Sequence, residues 1–283
     1  LPVAARKLNR TVAPAAKTHA FALMLLCGPA WVQAADIAQL YSSDAIVTGT
    51  GEINRQIGFR ECLREVLVKL SGDQTILDNS DFAALEAQAG SFVSTFFYRD
   101  RLEGIPIHDE QGTHDRPHDL TCRYEPATLD PLLARLGRKP WLKSRPAIAV
   151  FLAVKDQKRR FVLTRDGSES PYMADSLQAA AIPLALSVVL PDAATMTAQK
   201  LDFAVLSQVT PETLVGPAAD TKGDVALSGT LTWSDAARGW IAKWRMDADG
   251  KLYQWQISGV SFDDGFRNAM RGAARILSGN GPP

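Results

Sequence analysis

The sequence predicts an α+β fold: two small α/β sandwich domains, the second ending in an antiparallel meander covered by a C-terminal helix. Three observations carry that expectation. Helix-period and strand-period segments alternate along the chain, three period-two segments follow one another between residues 224 and 259, and an amphipathic run closes the chain at 261–279. Mixed element order of this kind belongs to α+β architectures.

Residues 1–34 are expected to be a secretory signal rather than part of the fold. Arg6, Lys7, Arg10 and Lys17 precede an apolar run from Ala20 to Cys27, and Val32-Gln33-Ala34 offers the small-x-small exit of a cleavage site. A membrane span needs about 20 apolar residues, and Gly28-Pro29 interrupts this run much earlier. Lipid attachment at Cys27 is disfavoured by the bulk of Leu26. Cleavage near Ala34 places the mature chain in the periplasm, as a soluble protein without a transmembrane segment. Removing 1–34 leaves 27 basic and 31 acidic residues, a net charge of −4. That balance provides no field to hold a polyanion, so nucleic acid is not an expected partner.

The remaining 249 residues suffice for one large domain or two small ones. The composition divides them into an N-terminal domain at 35–138, a linker at 139–146 and a C-terminal domain at 147–283. In the first, IAQLYSSDAIVTG reads as a strand. INRQIGFRECLREVLVKLSG places Ile53, Ile57, Leu63, Val66, Leu67 and Leu70 at helical spacing and ends on the cap signal Ser71-Gly72. NSDFAALEAQAG predicts a short helix, SFVSTFFYRD and DLTCRYEP strands, and ATLDPLLARLG another helix. The linker KPWLKSRP holds two prolines, which discourage helix before them.

Beyond the linker, AIAVFLAV is a continuous apolar run, as in a strand covered on both faces. MADSLQAAAIP predicts a helix and PLALSVVLP a second strand, parallel to the first. KLDFAVLSQ predicts a further helix without an identifiable cap. In the meander, Val225, Leu227, Leu231 and Trp233, then Trp240, Ala242, Trp244 and Met246, then Tyr253, Trp255 and Ile257 form one apolar face. Asp249-Gly250 is a tight-turn signal. Ser261 and Asp264 resemble a capping box. They open a helix whose stripe of Phe262, Phe266, Ala269, Met270, Ala273 and Leu277 lies on the meander. Arg267, Arg271 and Arg275 line another side, expected to be a solvated face rather than a grip for an anionic partner.

Cys62 and Cys122 survive processing. They are a candidate disulfide closing a loop of about 60 residues, or else two small apolar core residues; spacing does not choose between these. Three of the four histidines crowd HDEQGTHDRPHDL, each followed by aspartate. His108, His114 and His118 have ligand-compatible spacing for zinc. Pro117, however, prevents His114 and His118 from sharing a helical turn, and Gln111, Gly112 and Thr113 are loop residues. A solvated loop is therefore expected, with no metal, no cofactor and no catalytic residue assigned. No G-x-S-x-G, H-E-x-x-H, P-loop, Rossmann or C-x-x-C motif occurs.

FRECLREVLVKLSGD, PWLKSRPAIAVFL, GTLTW and ISGVSFDDGFRNAMRGAARILSG together resemble DUF2066, a secreted bacterial family known only by a domain-of-unknown-function label. The resemblance implies a bacterial periplasmic setting and supplies no catalytic residues. The second half is also similar, at the level of element order, to envelope assembly domains. These are the N-terminal domain of the Tol translocation β-propeller protein, the curli-secretion lipoprotein and lipoprotein activators of peptidoglycan synthases. Those domains act by binding proteins, although a fold does not carry function with it. The expected function is a periplasmic, non-enzymatic binding or assembly protein of the cell envelope, partnered by another envelope protein. The alternative is a metal-dependent or acid/base enzyme centred on His108, His114 and His118. A third reading places a small ligand in a cleft between the domains, with Trp141 lining its wall.

Overall fold

The computed structural model describes residues 34–105 and 115–283. Helix α1 (Ala34–Leu40) leads into strand β1 (Ser42–Thr48), then α2 (Glu52–Ser71), a 3-10 turn at Gln74–Asp78, and the short helices α3 (Phe82–Glu86) and α4 (Ala89–Phe92). Strands β2 (Thr95–Asp100) and β3 (Pro117–Arg123) and helix α5 (Pro126–Arg135) follow. β3 is central in an antiparallel three-stranded sheet of order β1-β3-β2. Alternation in β1 sends Ser43, Ala45 and Val47 inward, where α2 packs, and Asp44, Ile46 and Thr48 outward. The expected first strand is shorter than its apolar pattern: Ile37–Leu40 are helical and the strand begins at Ser42.

Cys62 on α2 and Cys122 on β3 are both fully buried and meet at disulfide distance, with 6.3 Å between their Cα atoms. The helix is thereby held to the middle strand at the depth where Leu63, Val66 and Leu120 exclude water. Of the helical stripe read from the sequence, Leu63, Val66, Leu67 and Leu70 are buried. Ile53 is 80% and Ile57 51% exposed, although neighbours in the same two turns touch the sheet, Asn54 at the Thr48 carbonyl and Arg55 over the Phe96 ring.

The second sheet is formed by β4 (Ala147–Lys155), β5 (Arg160–Leu163), β6 (Ser187–Val189), β7 (Val225–Ser234), β8 (Gly239–Ala248) and β9 (Lys251–Val260). Its order is β5-β4-β7-β8-β9, with β6 also pairing with β4. β4 runs parallel to β6 and β7, as a strand covered on both faces requires, and every residue from Ile148 to Val154 is buried. Helices α6 (Pro171–Ala181) and α10 (Phe262–Leu277) lie on one face. The other face, at β4 and β7, is covered by α7 (Ala193–Ala198), α8 (Phe203–Leu206) and α9 (Val215–Asp220).

The meander forms as three antiparallel strands with Leu227, Leu231, Ala242, Trp244 and Met246 in the α10-side core, while Ala226 and Ser228, on the opposite face of β7, are buried too. Gly229 makes room for Trp244: a Cβ there would stand 2.4 Å from its ring. Asp249 and Gly250 turn the chain with φ of 53° and 72°, the left-handed pair that a two-residue hairpin loop needs. Ser261 caps α10 by accepting from the Asp264 amide at 3.1 Å. The helix at 203–206 does have a cap, which sequence reading misses: the Asp202 side chain accepts from the Val205 amide at 2.9 Å. The expected strand PLALSVVLP shrinks to Ser187–Val189, preceded by a 3-10 turn at Ile182–Leu184.

Residues Ala34–Pro283 form one compact unit. A continuous core runs from the α2 face into α6, β4, β7, β8 and α10. Segment 139–146 packs on α2: the Trp141 amide donates to the Leu70 carbonyl at 2.6 Å and Arg145 Nη2 to that of Lys69 at 2.7 Å. From the far end, Asn280 Nδ2 donates to the Ser71 carbonyl at 2.7 Å. Gly72, at φ 70°, ends the helix and donates to the Val68 carbonyl at 2.8 Å. Asp73, fully buried, receives a two-pronged contact from Arg138 (2.7 and 2.9 Å) and lies 3.5 Å from Arg275 of α10. Burial opposes its charge, but hydrogen bonds from Thr75 and Arg138 and the field of Arg275 hold its carboxyl below the ordinary value.

Two outcomes test this arrangement. Peptide mapping of unreduced protein should find Cys62 joined to Cys122, and reduction should lower stability by about 4 kcal/mol in the loop-entropy model; alkylation of both thiols without reductant refutes the bridge. Asp73→Asn should cost about 3 kcal/mol in urea unfolding, since it leaves two partly buried guanidinia without their carboxylate. The wild-type contribution of Asp73 is present above its unfolded pKa and lost as pH falls through the depressed folded value, so the gap between the proteins should close in acid.

Candidate functional site

On a side of α2 beside the three-stranded sheet, the helix forms one wall of a cleft of about 510 Å³, within the range of small-molecule sites. The opposite wall is made by α6 and α10, and the 3-10 turns at 74–78 and 182–184 close the inner end. Helical spacing dictates which side chains face it. Glu61, Arg64, Glu65 and Val68 are three or four apart on α2, as are Asp263, Arg267 and Arg271 on α10. Val68, Leu77, Ala180, Pro183 and Leu184 supply an apolar floor.

Each wall carries both signs: Glu61, Arg64 and Glu65 on α2, and Asp263, Arg267 and Arg271 on α10. Glu61 and Glu65, one turn apart on α2, face Arg267 and Arg271, one turn apart on α10. Arg64 is engaged by Glu86 of α3, and Arg267 by Asp264 at 2.6 Å. Asp263 accepts a hydrogen bond from the Ser176 hydroxyl of α6, which ties the two helices of that wall together. Among the described residues, Glu61, Glu65 and Arg271 form no ion pair within 4.0 Å. Burial, reinforced by the neighbouring Glu61 charge, pushes the Glu65 carboxyl up to about 7. Chemically the cleft offers carboxylates on both walls, a guanidinium on the α10 side and apolar surface between them.

Sequence reading does not find this cleft. Its arginine row is only partly the solvated face expected: Arg267 and Arg271 line the cleft, while Arg275 turns inward to Asp73. The i, i+4 spacing of Glu61 and Glu65 was the available signal, but nothing local says that α10 stands opposite. Trp141 lines no part of the cleft; it is 7% exposed, with Arg145 stacked over its ring at 4.5 Å.

The histidine motif is described only at its end, since His108 and His114 lie outside the described residues. His118 lies on β3, paired across to Val47 and Asp100. Its Nδ1 is 2.8 Å from the Arg116 carbonyl, a donor's position, and its ring meets Tyr98 edge-on at 6.0 Å. Among the described residues no group of three His, Cys, Asp or Glu side chains is placed to hold a metal. No helix among them is long and apolar enough to cross a membrane.

Comparison with known families corrects the resemblance drawn from the sequence. A family model described as "Domain of unknown function (DUF8605)" matches residues 34–142, short of half the 283-residue chain, and DUF2066 does not match. The shared helix pattern and glycine-aspartate positions that suggested DUF2066 mark a capped amphipathic helix, a feature many families contain. The match ends just past Trp141, whose amide closes the end of α2. No curated protein and no solved structure matches the chain.

The raised Glu65 pKa makes a pH prediction. Between about 4.5, its unfolded value, and about 7 the unfolded chain releases this proton first. The stability that neutral Glu65 contributes is therefore fully present below 4.5 and lost as pH rises towards 7. Glu65→Gln should be the more stable protein at pH 8, and the difference in urea midpoint should vanish at pH 4.5. An equal difference at both pH values refutes the assignment.

Proposed function

We propose that the chain is an exported, non-enzymatic binding or assembly protein of a bacterial periplasm, with another envelope protein as its partner. The observation that carries the reading is the fully buried Cys62–Cys122 pair at disulfide distance. Paired cysteines of this kind belong to oxidising compartments, and they agree with the basic-apolar-small pattern of residues 1–34. The cleft supports binding as the mode of action. Its lining is charges and apolar surface, together with Gln74 and the Ser176 hydroxyl, which donates to the Asp263 carboxylate.

Two measurements in the source cell test this. Fractionation should recover the chain in the periplasm, shortened near Ala34 and carrying the Cys62–Cys122 bridge. Crosslinking in living cells should then attach a specific envelope protein. A full-length cytosolic pool with free thiols refutes the export reading. Replacing His108, His114 and His118 together by alanine should leave thermal stability and phenotype unchanged. Loss of function in that variant, with an intact fold, shifts the reading to the acid/base or metal enzyme.

A further inference from the structure

We infer that the cleft between α2 and α10 is a binding site for a short peptide with free termini, held by its two end charges. Three features converge on that class. First, Glu61 and Glu65 on α2 and Arg271 on α10 line facing walls, yet among the described residues none of them reaches an ion-pair partner. Opposite charges that face each other across open space without touching are complementary to a ligand that carries both signs, separated by its own length.

Second, the engaged charges sharpen the pattern. Glu86 occupies Arg64 and Asp264 occupies Arg267, so the groups left for a ligand are the Glu61 and Glu65 carboxylates on one wall and, on the other, the Arg271 guanidinium two turns along α10 from Asp263, whose carboxylate is taken up by the Ser176 hydroxyl. A guanidinium receives a terminal carboxylate through two parallel hydrogen bonds, and a carboxylate pair accepts the three donors of an ammonium. Third, the floor of Val68, Leu77, Ala180, Pro183 and Leu184 is apolar. It suits the side chains of small uncharged residues and disfavours a compact polar metabolite, which would have to lose water against it without compensating hydrogen bonds. The volume of about 510 Å³ accommodates a ligand longer than a single amino acid.

The inference stands apart from export: it is tested on purified protein and can fail while the periplasmic reading survives, or the reverse. Isothermal titration at pH 8 should compare Ala-Ala-Ala and Ala-Leu-Ala with their N-acetylated and C-amidated forms. The free tripeptides should bind saturably, and blocking either end should weaken binding by about tenfold or more, the worth of one charge-assisted contact. Arg271→Gln should abolish the preference for a free carboxylate, and Glu61→Gln with Glu65→Gln the preference for a free amine, each variant having a urea midpoint at pH 8 no lower than that of the wild type. Failure of both free tripeptides to bind, equal binding of blocked and free forms, or variants that change affinity without changing end preference would each overturn the proposal.

Discussion

The C-terminal end of α2 is the constraint on which the rest of the structure depends. A helix leaves its last carbonyls without internal donors, and burying them unsatisfied is costly. Here the Lys69, Leu70 and Ser71 carbonyls are buried with their residues and receive donors from Arg145, Trp141 and Asn280. Those donors come from segments more than 70 residues away along the chain. One residue beyond the Gly72 cap, Asp73 joins Arg138 to Arg275. Closing one helix therefore requires the segment after α5 and the end of α10 to be in place at the same time.

That requirement explains why the two sheets share a core. Without it, α2 would be anchored only within the N-terminal part, to its sheet and short helices, through Phe59, Leu63, the cysteine pair and the ion pair of Arg64 with Glu86. With it, Val68 and Leu70 reach the side of the molecule built by α6 and α10, and a cleft opens where the helices diverge. The chemistry of the cleft is a by-product of that closure. Capping aligns α2 with α10, and the alignment sets Glu61 and Glu65 opposite Arg267 and Arg271 with no ion pair formed between the walls among the described residues.

The meander provides the rigid platform for α10. Trp244 fills the space left by Gly229 and packs against Phe266, with ring centroids 6.4 Å apart. Large aromatic rings bury much area and have few rotamers, so they hold α10 in a single register. That register decides which of its arginines faces the cleft and which reaches Asp73.

Much of the fold was legible because its signals are local. The period-two face from Val225 to Ile257, the Asp249-Gly250 turn and the Ser261 cap are written within a few residues each, and they hold in the structure. So does the C-terminal Gly72 of α2. Short elements escaped reading: β5 at Arg160–Leu163 is formed by pairing with β4, and its four residues carry no period of their own. The family was misjudged for a related reason, since a capped amphipathic helix is a physical solution that unrelated chains reach. What only tertiary structure decided is whatever depends on two distant segments meeting. Spacing left Cys62 and Cys122 undecided until α2 lay on β3. Glu61, Glu65 and Arg271 became a site only when α10 came to stand opposite α2, and Arg275 left the solvated row only because Asp73 was buried within its reach. Hydrophobic period and turn chemistry act over a few residues and can be read from order alone; electrostatic complementarity acts through space, between residues whose order in the chain carries no record of it.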